Sequence, residues 1–151
     1  MLFRSVTFDG VGGSWNLADA LTLGVNRVLT LTNGSFNANN KNVTAGGFAS
    51  NNSNTRTLTM GSGIWDGIGV GNVWNFATTT GLTFSANTST ILFSATTGSA
   101  RTFAGGGLTY NNFTIGGATG TSTLTISGSN TFNTIASTKT VAHTKIGRAH
   151  V

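Results

Sequence analysis

The sequence predicts an all-β fold, a right-handed parallel β-helix (β-solenoid) of about seven rungs, each of roughly 19 to 20 residues. Three observations lead there. Small hydroxyl, amide and glycine residues take the place of charge, an apolar-Thr-apolar triplet recurs with turn residues behind it, and aromatic-Asn dipeptides recur at a longer interval.

The 151 residues include 28 Thr, 22 Gly, 17 Asn and 14 Ser, and no Pro, Cys or Glu. Charged residues make up 7 % of the chain, against about 25 % in an average soluble domain, so hydroxyls and amides must solvate the surface. A disordered polar tract would share the low charge, but 38 % of this chain is hydrophobic and those residues fall in ordered clusters, more apolar surface than disordered segments carry. The net charge of +5 reflects missing acids. Arg4, Arg27, Lys41, Arg56, Arg101 and Lys139 stand singly, without the basic cluster and interleaved aromatics of a nucleic-acid face, so no nucleic-acid partner is expected. The absence of Cys excludes disulfides and thiolate metal sites. No apolar run approaches the ~18 residues of a membrane span, so no membrane insertion is expected.

The ends are read separately. Met1-Leu2-Phe3-Arg4-Ser5 lacks the basic, apolar and small-residue regions of a signal peptide. Lys145-Ile146-Gly147-Arg148-Ala149-His150-Val151 breaks the composition and resembles the in-frame translation of a common sequencing-library adapter. The expectation is therefore a solenoid repeat segment over 1–144, a non-native tail over 145–151, and a fragment of a longer chain. Without Lys145 and Arg148 the net charge falls from +5 to +3, and His150 drops out as a functional histidine.

The triplets are Val6-Thr7-Phe8, Leu21-Thr22-Leu23, Leu29-Thr30-Leu31, Leu58-Thr59-Met60, Leu82-Thr83-Phe84, Leu108-Thr109-Tyr110, Phe113-Thr114-Ile115 and Leu124-Thr125-Ile126. Side chains alternate across a strand, so each triplet turns two apolar groups inward and one Thr outward. Clusters such as Asn33-Gly34-Ser35, Gly61-Ser62-Gly63 and Gly116-Gly117 supply turns. Helix is nearly absent; only Asn16 to Leu21 suggests a short turn or cap.

The aromatic-Asn dipeptides are Trp15-Asn16, Phe36-Asn37, Trp74-Asn75, Tyr110-Asn111 and Phe132-Asn133. Their spacings of 21, 38, 36 and 22 residues fit multiples of about 19.5, the size of one solenoid coil. Longer stretches match as well. Phe8-Asp9-Gly10-Val11-Gly12 leading to Trp15-Asn16 is echoed by Trp65-Asp66-Gly67-Ile68-Gly69 leading to Trp74-Asn75, and Leu29 to Asn37 parallels Leu124 to Asn133. An internal aromatic stack beside a ladder of Asn amides accounts for the repeat. The rival reading makes Trp15, Trp65 and Trp74 exposed platforms for glycan stacking.

Gly120-Thr121-Ser122-Thr123-Leu124-Thr125-Ile126-Ser127-Gly128-Ser129-Asn130-Thr131-Phe132 resembles the autotransporter-associated β-strand repeat. It departs at Asn133-Thr134-Ile135, where that repeat continues with glycine-rich turns. The rest of the chain is similar in style to β-helix segments of phage tail fibres and of very large bacterial surface proteins. The resemblance implies a right-handed β-helix displayed outside the cell or on a virion.

The chemistry-bearing residues point away from catalysis. A polysaccharide-cleaving β-helix needs carboxylates paired within ~5 to 10 Å, whereas Asp9, Asp19 and Asp66 are spaced onto different sides or distant rungs. His143 has no evident Asp, Ser or Cys partner. Asp9-Gly10-Val11-Gly12 and Asp66-Gly67-Ile68-Gly69 offer one carboxylate per loop, too few oxygens for calcium, and read as Asp-Gly turns. Gly105-Gly106-Gly107 carries no Lys and reads as a plain turn. The sequons at Asn33, Asn42, Asn51, Asn87 and Asn112 follow from composition.

Thr30-Leu31-Thr32, Thr57-Leu58-Thr59, Thr123-Leu124-Thr125 and Thr138-Lys139-Thr140 are similar to the Thr arrays of ice-binding solenoids, yet their spacings keep no single register. The expectation is a structural or adhesive module of an extracellular surface protein or phage fibre, with no catalytic residue, cofactor or metal. The alternatives are a carbohydrate-binding or carbohydrate-active fragment and an ice-binding Thr array. Expected partners are neighbouring rungs of the longer chain, a cell-surface glycan or host receptor, and copies of the chain in a homotrimer.

Overall fold

The structure, a computed structural model, describes residues 4–117 and 123–139 in full and residues 144–150 by backbone. In chain order the strands are β1 (Val6–Asn16), β2 (Leu21–Thr22), β3 (Val28–Asn37), β4 (Val43–Ala45), β5 (Gly47–Ala49), β6 (Arg56–Thr59) and β7 (Ile64–Gly67). There follow β8 (Gly71–Asn75), β9 (Leu82–Ser85), β10 (Thr90–Phe93), β11 (Arg101–Ala104), β12 (Thr109–Ile115), β13 (Thr123–Ser137) and β14 (Thr144–His150). Every pair between them is parallel, and the chain coils as a β-solenoid of about six turns.

The pairs sort into three faces. On face A, Val6, Leu29, Phe48, Trp74, Phe103 and Ile126 follow one another in register. Face C runs through Leu21, Val43, Trp65, Ile91, Phe113 and Ile135. Face B runs through Trp15, Phe36, Leu58 and Phe84 and resumes with Tyr110 and Phe132. Strands β1, β3, β12 and β13 are long because each bends round a corner from one face to the next, and this links all 14 strands into one sheet.

The rung count and period differ from the expectation of about seven rungs of 19 to 20 residues. Along face A the steps are 23, 19, 26, 29 and 23 residues. Trp74-Asn75 lies on face A, whereas the other four aromatic-Asn dipeptides lie on face B, so averaging over all five inserts a rung that does not exist. The face B positions between them are filled by Leu58-Thr59 and Phe84-Ser85, which lack the dipeptide. Corner length absorbs the variation, because loops extending into solvent tolerate insertion where the strands cannot.

For the same reason Trp74 is not the structural counterpart of Trp15, and Asp66, on face C, is not that of Asp9 on the A-to-B corner. The parallel between Leu29–Asn37 and Leu124–Asn133 does hold at the level of the strand, since β3 and β13 both cross from face A to face B.

Inward positions form one continuous core of aliphatic and aromatic side chains. Rings touch from rung to rung: Phe8 to Phe36 at 4.5 Å, Phe48 to Trp74 at 5.3 Å, Trp74 to Phe103 at 5.7 Å and Phe103 to Phe132 at 5.5 Å between centroids. The expected internal aromatic stack is present. A single rung cannot bury its own apolar side, so each ring is covered only by its neighbours above and below.

The B-to-C corner uses left-handed backbone in three successive rungs, at Asn39 (φ 50°) and Asn40 (φ 61°), Gly61 (φ 73°) and Asn87 (φ 50°). Asn and Gly are the residues that adopt it at least strain. The expected ladder of stacked Asn amides takes a different form. Asn133 Nδ2 meets Asn112 Oδ1 at 3.5 Å, but other amides bond the backbone of the adjoining rung. Ser62 N–H donates to Asn40 Oδ1 (3.0 Å), Ile64 N–H to Asn42 Oδ1 (2.9 Å) and Thr78 N–H to Asn51 Oδ1 (2.8 Å). Turn residues carry unpaired N–H groups that the ladders do not reach, and these are the stronger demand.

Candidate functional site

Of the three tryptophans expected to stack against sugars, Trp65 and Trp74 are 1 % and 0 % exposed. Neither has an open ring face: alternation along β7 points Trp65 into the core, and on β8 an irregularity in the pairing at Val73 turns both Val73 and Trp74 inward. Trp65 donates its indole N–H to Met60 O at 3.2 Å. Trp15, half-buried on the first rung, packs on Phe8 at 5.1 Å and is the one ring of the three that reaches solvent.

Among the described residues the three aspartates lie on different faces or corners. Asp9 accepts a hydrogen bond from Asn33 Nδ2 at 2.6 Å. Asp66 accepts from Ser94 Oγ at 2.8 Å and Ser94 N–H at 3.3 Å. Asp19 is exposed on the B-to-C corner of the first rung. Among the described residues no three His, Cys, Asp or Glu side chains gather to hold a metal ion, and no helix is long and apolar enough to cross a membrane. His143, Thr140 and Gly120-Thr121-Ser122 lie outside the described residues. The backbone of Thr144–His150 pairs with β13.

Two of the singly placed arginines are in the core: Arg56 is 1 % and Arg101 is 2 % exposed. Arg56 Nε donates to Ser50 Oγ (2.6 Å), Nη1 to Asn54 O (2.8 Å) and Thr80 O (2.9 Å), and Nη2 to Ser50 O (2.7 Å) and Thr78 O (2.8 Å). The fork thus ties the A-to-B corner of one rung to that of the next, using all five donors. Burial lowers the pKa of both guanidinium groups. The signal was legible: in Arg56-Thr57-Leu58 and Arg101-Thr102-Phe103 an arginine occupies the first apolar slot of the apolar-Thr-apolar triplet.

Tyr110, 1 % exposed, donates its hydroxyl hydrogen to Gly105 O at 2.9 Å and accepts the Trp74 indole N–H at 3.1 Å. Burial raises its pKa far above the ordinary value, and the indole bond lowers it by less. A raised folded-state pKa means stability present below the unfolded value of about 10 and lost as pH climbs beyond it. The melting temperature should therefore fall above pH ~10, and Tyr110→Phe should flatten part of that slope. As the chain's single tyrosine, it also reports directly: phenolate absorbance should appear only with unfolding, and its appearance in the folded chain would contradict the buried hydroxyl.

The outward positions differ between faces. Face C presents the column Thr22, Thr44, Asp66, Leu92, Thr114, Ala136, and face A presents Thr7, Thr30, Ala49, Asn75, Ala104, Ser127; neither repeats one chemistry. Face B does. Its first column is Ser14, Ser35, Thr57 and Thr83, and its second is Asn16, Asn37, Thr59 and Ser85. Below them Thr109 and Asn111 stand beside Thr131 and Asn133 on β12 and β13. Among the described residues strand β9 pairs only with β6, so the face consists of a four-strand and a two-strand block, with Phe84 and Tyr110 meeting edge-on at 5.1 Å across the junction.

All twelve of these side chains are exposed or half-exposed, and none is charged. Of the Thr-x-Thr pairs within the described residues, only Thr57-Leu58-Thr59 belongs to this face; Thr30 and Thr125 point out from face A. A groove of about 390 Å³ follows the B-to-C corner, lined by Asn37, Asn39, Asn40, Thr59, Asn87 and Thr88, and one of about 410 Å³ lies on face B at the junction of its two blocks, lined by Asn87, Thr109, Asn111, Thr131 and Asn133 among others.

Comparison with protein-family models, with curated proteins and with solved structures returns no match to this chain.

Proposed function

We propose that the chain is a structural or adhesive β-solenoid segment of an extracellular surface protein or phage fibre, acting through the surface it presents and without catalysis. The observation that carries this reading is the division of labour among its side chains. Inward positions hold one stack of rings and aliphatics, corner amides close the turns, and outward positions on face B repeat one neutral chemistry from rung to rung. An autotransporter-like or fibre-like origin, and display on a cell surface or virion, go with that reading because such a segment extends by adding rungs. A homotrimer is a further part of the proposal, to be read from the mass of the purified chain in solution.

A carbohydrate-binding alternative is favoured by the grooves on the B-to-C corner and at the junction of face B, whose amides and hydroxyls match the hydrogen-bonding groups of a glycan. Beads coated with the chain should adhere to glycan-coated or cell surfaces without releasing reducing sugar. Sugar release from any polysaccharide would replace the non-catalytic reading with an enzymatic one. Retention lost on Asn87→Ala, a groove residue, but kept on Trp15→Ala would place a glycan in the corner.

A further inference from the structure

The geometry points to face B as a binding surface for ordered water, the face of an ice crystal. Its outward side chains form a two-column lattice. Neighbouring strands are ~4.8 Å apart and alternate residues along a strand ~6.6 Å apart, both near the repeats of oxygen positions on a prism plane of ice. The columns Ser14, Ser35, Thr57, Thr83 and Asn16, Asn37, Thr59, Ser85 are in register strand by strand, so the spacing is set by the sheet and not by flexible loops.

Three features favour a water lattice over other partners. The first is chemical: a hydroxyl both donates and accepts, as a lattice water does, while a charged group would hold a hydration shell of its own, and these columns have no charge. Rigidity is the second. Thr57, Thr59 and Thr83 are stiff at χ1, and the strands rest on the buried rings of Phe36, Tyr110 and Phe132 and the half-buried ring of Phe84, so little ordering entropy is lost on adsorption. The third is what the face lacks. The Phe36, Tyr110 and Phe132 rings point inward, so those rungs offer no platform for sugar stacking, and the two columns contain no apolar centre of the kind a protein partner would cover.

The register explains why the sequence concealed this surface. Steps of 21, 22, 26, 26 and 22 residues separate Ser14, Ser35, Thr57, Thr83, Thr109 and Thr131, and Thr-x-Thr occurs in one of those six rungs. The proposal rests on the non-catalytic reading but is separable from it. Exclusion from ice would sink the proposal and leave a spacer, whereas sugar release would sink that reading alone.

The test freezes a dilute solution of the fluorescently labelled chain onto a single ice crystal and compares label in ice and liquid. The unchanged chain is expected to concentrate in ice on defined planes and to facet growing crystals. Thr57→Lys with Thr83→Lys should reduce incorporation at least tenfold, while Thr114→Lys on face C leaves it unchanged. Circular dichroism melting confirms that each variant is folded. Should the lysine pair unfold the chain, Thr57→Val with Thr83→Val removes the hydroxyls at nearly constant shape and should still lower incorporation severalfold. Exclusion of the unchanged chain, equal incorporation of face B and face C variants, or binding to crystalline cellulose or chitin in place of ice would each overturn the proposal.

Discussion

Replacing Arg56 by Leu is expected to lower the unfolding free energy by at least about 3 kcal/mol, seen in urea as a midpoint shift at unchanged slope. Exchanging a buried ion pair wholesale for apolar residues can be neutral. Here the partners are the main-chain oxygens of Ser50, Asn54, Thr78 and Thr80, which no substitution removes. Each buried acceptor left without a donor costs about 1 to 3 kcal/mol. Arg56→Lys should recover little, since an ammonium has three donors and no planar fork to span two rungs. A loss below ~1 kcal/mol would show that water replaces the guanidinium at this corner.

Trp74→Ala should cost about 3 to 5 kcal/mol, the range for deleting a large buried aromatic. Its ring lies 5.3 Å from Phe48, 4.7 Å from Phe76 and 5.7 Å from Phe103, joining the third rung to the fifth. Because rungs stabilise only their neighbours, the loss should also weaken the coupling between the two halves. Thermal unfolding is then expected to broaden or split, with the remaining indole fluorescence and circular dichroism no longer coinciding. Trp15→Ala, at the half-covered first rung, should shift the transition without splitting it. Coincident, sharp transitions for Trp74→Ala would show that the solenoid's cooperativity does not pass through the aromatic stack.

Much of the fold was legible locally. Val6-Thr7-Phe8 and Phe113-Thr114-Ile115 announce inward and outward sides because strand alternation has a period of two. Asn-rich turns were readable because few residues accept left-handed backbone. Burial of Arg56 and Arg101 was also readable, since each occupies an inward slot beside Leu58 or Phe103. Exposure of Trp65 and Trp74 could not be judged from the dipeptides around them. Alternation along β7 turns Trp65 inward, Trp74 turns inward at an irregularity of the pairing beside Val73, and rings on neighbouring rungs set the depth of their burial.

The amino-acid sequence by itself determined that short Thr-bearing strands alternate with tight polar turns and hide an apolar side, because side-chain direction and turn conformation are set by a few adjacent residues. Only the tertiary structure decided which strand lies over which, and with that the six turns in place of seven, the arginine clamp between corners and the uncharged lattice of face B. Pairing between parallel strands is set across loops of unequal length, and those loops stretch to let the side chains of successive rungs meet inside the stack.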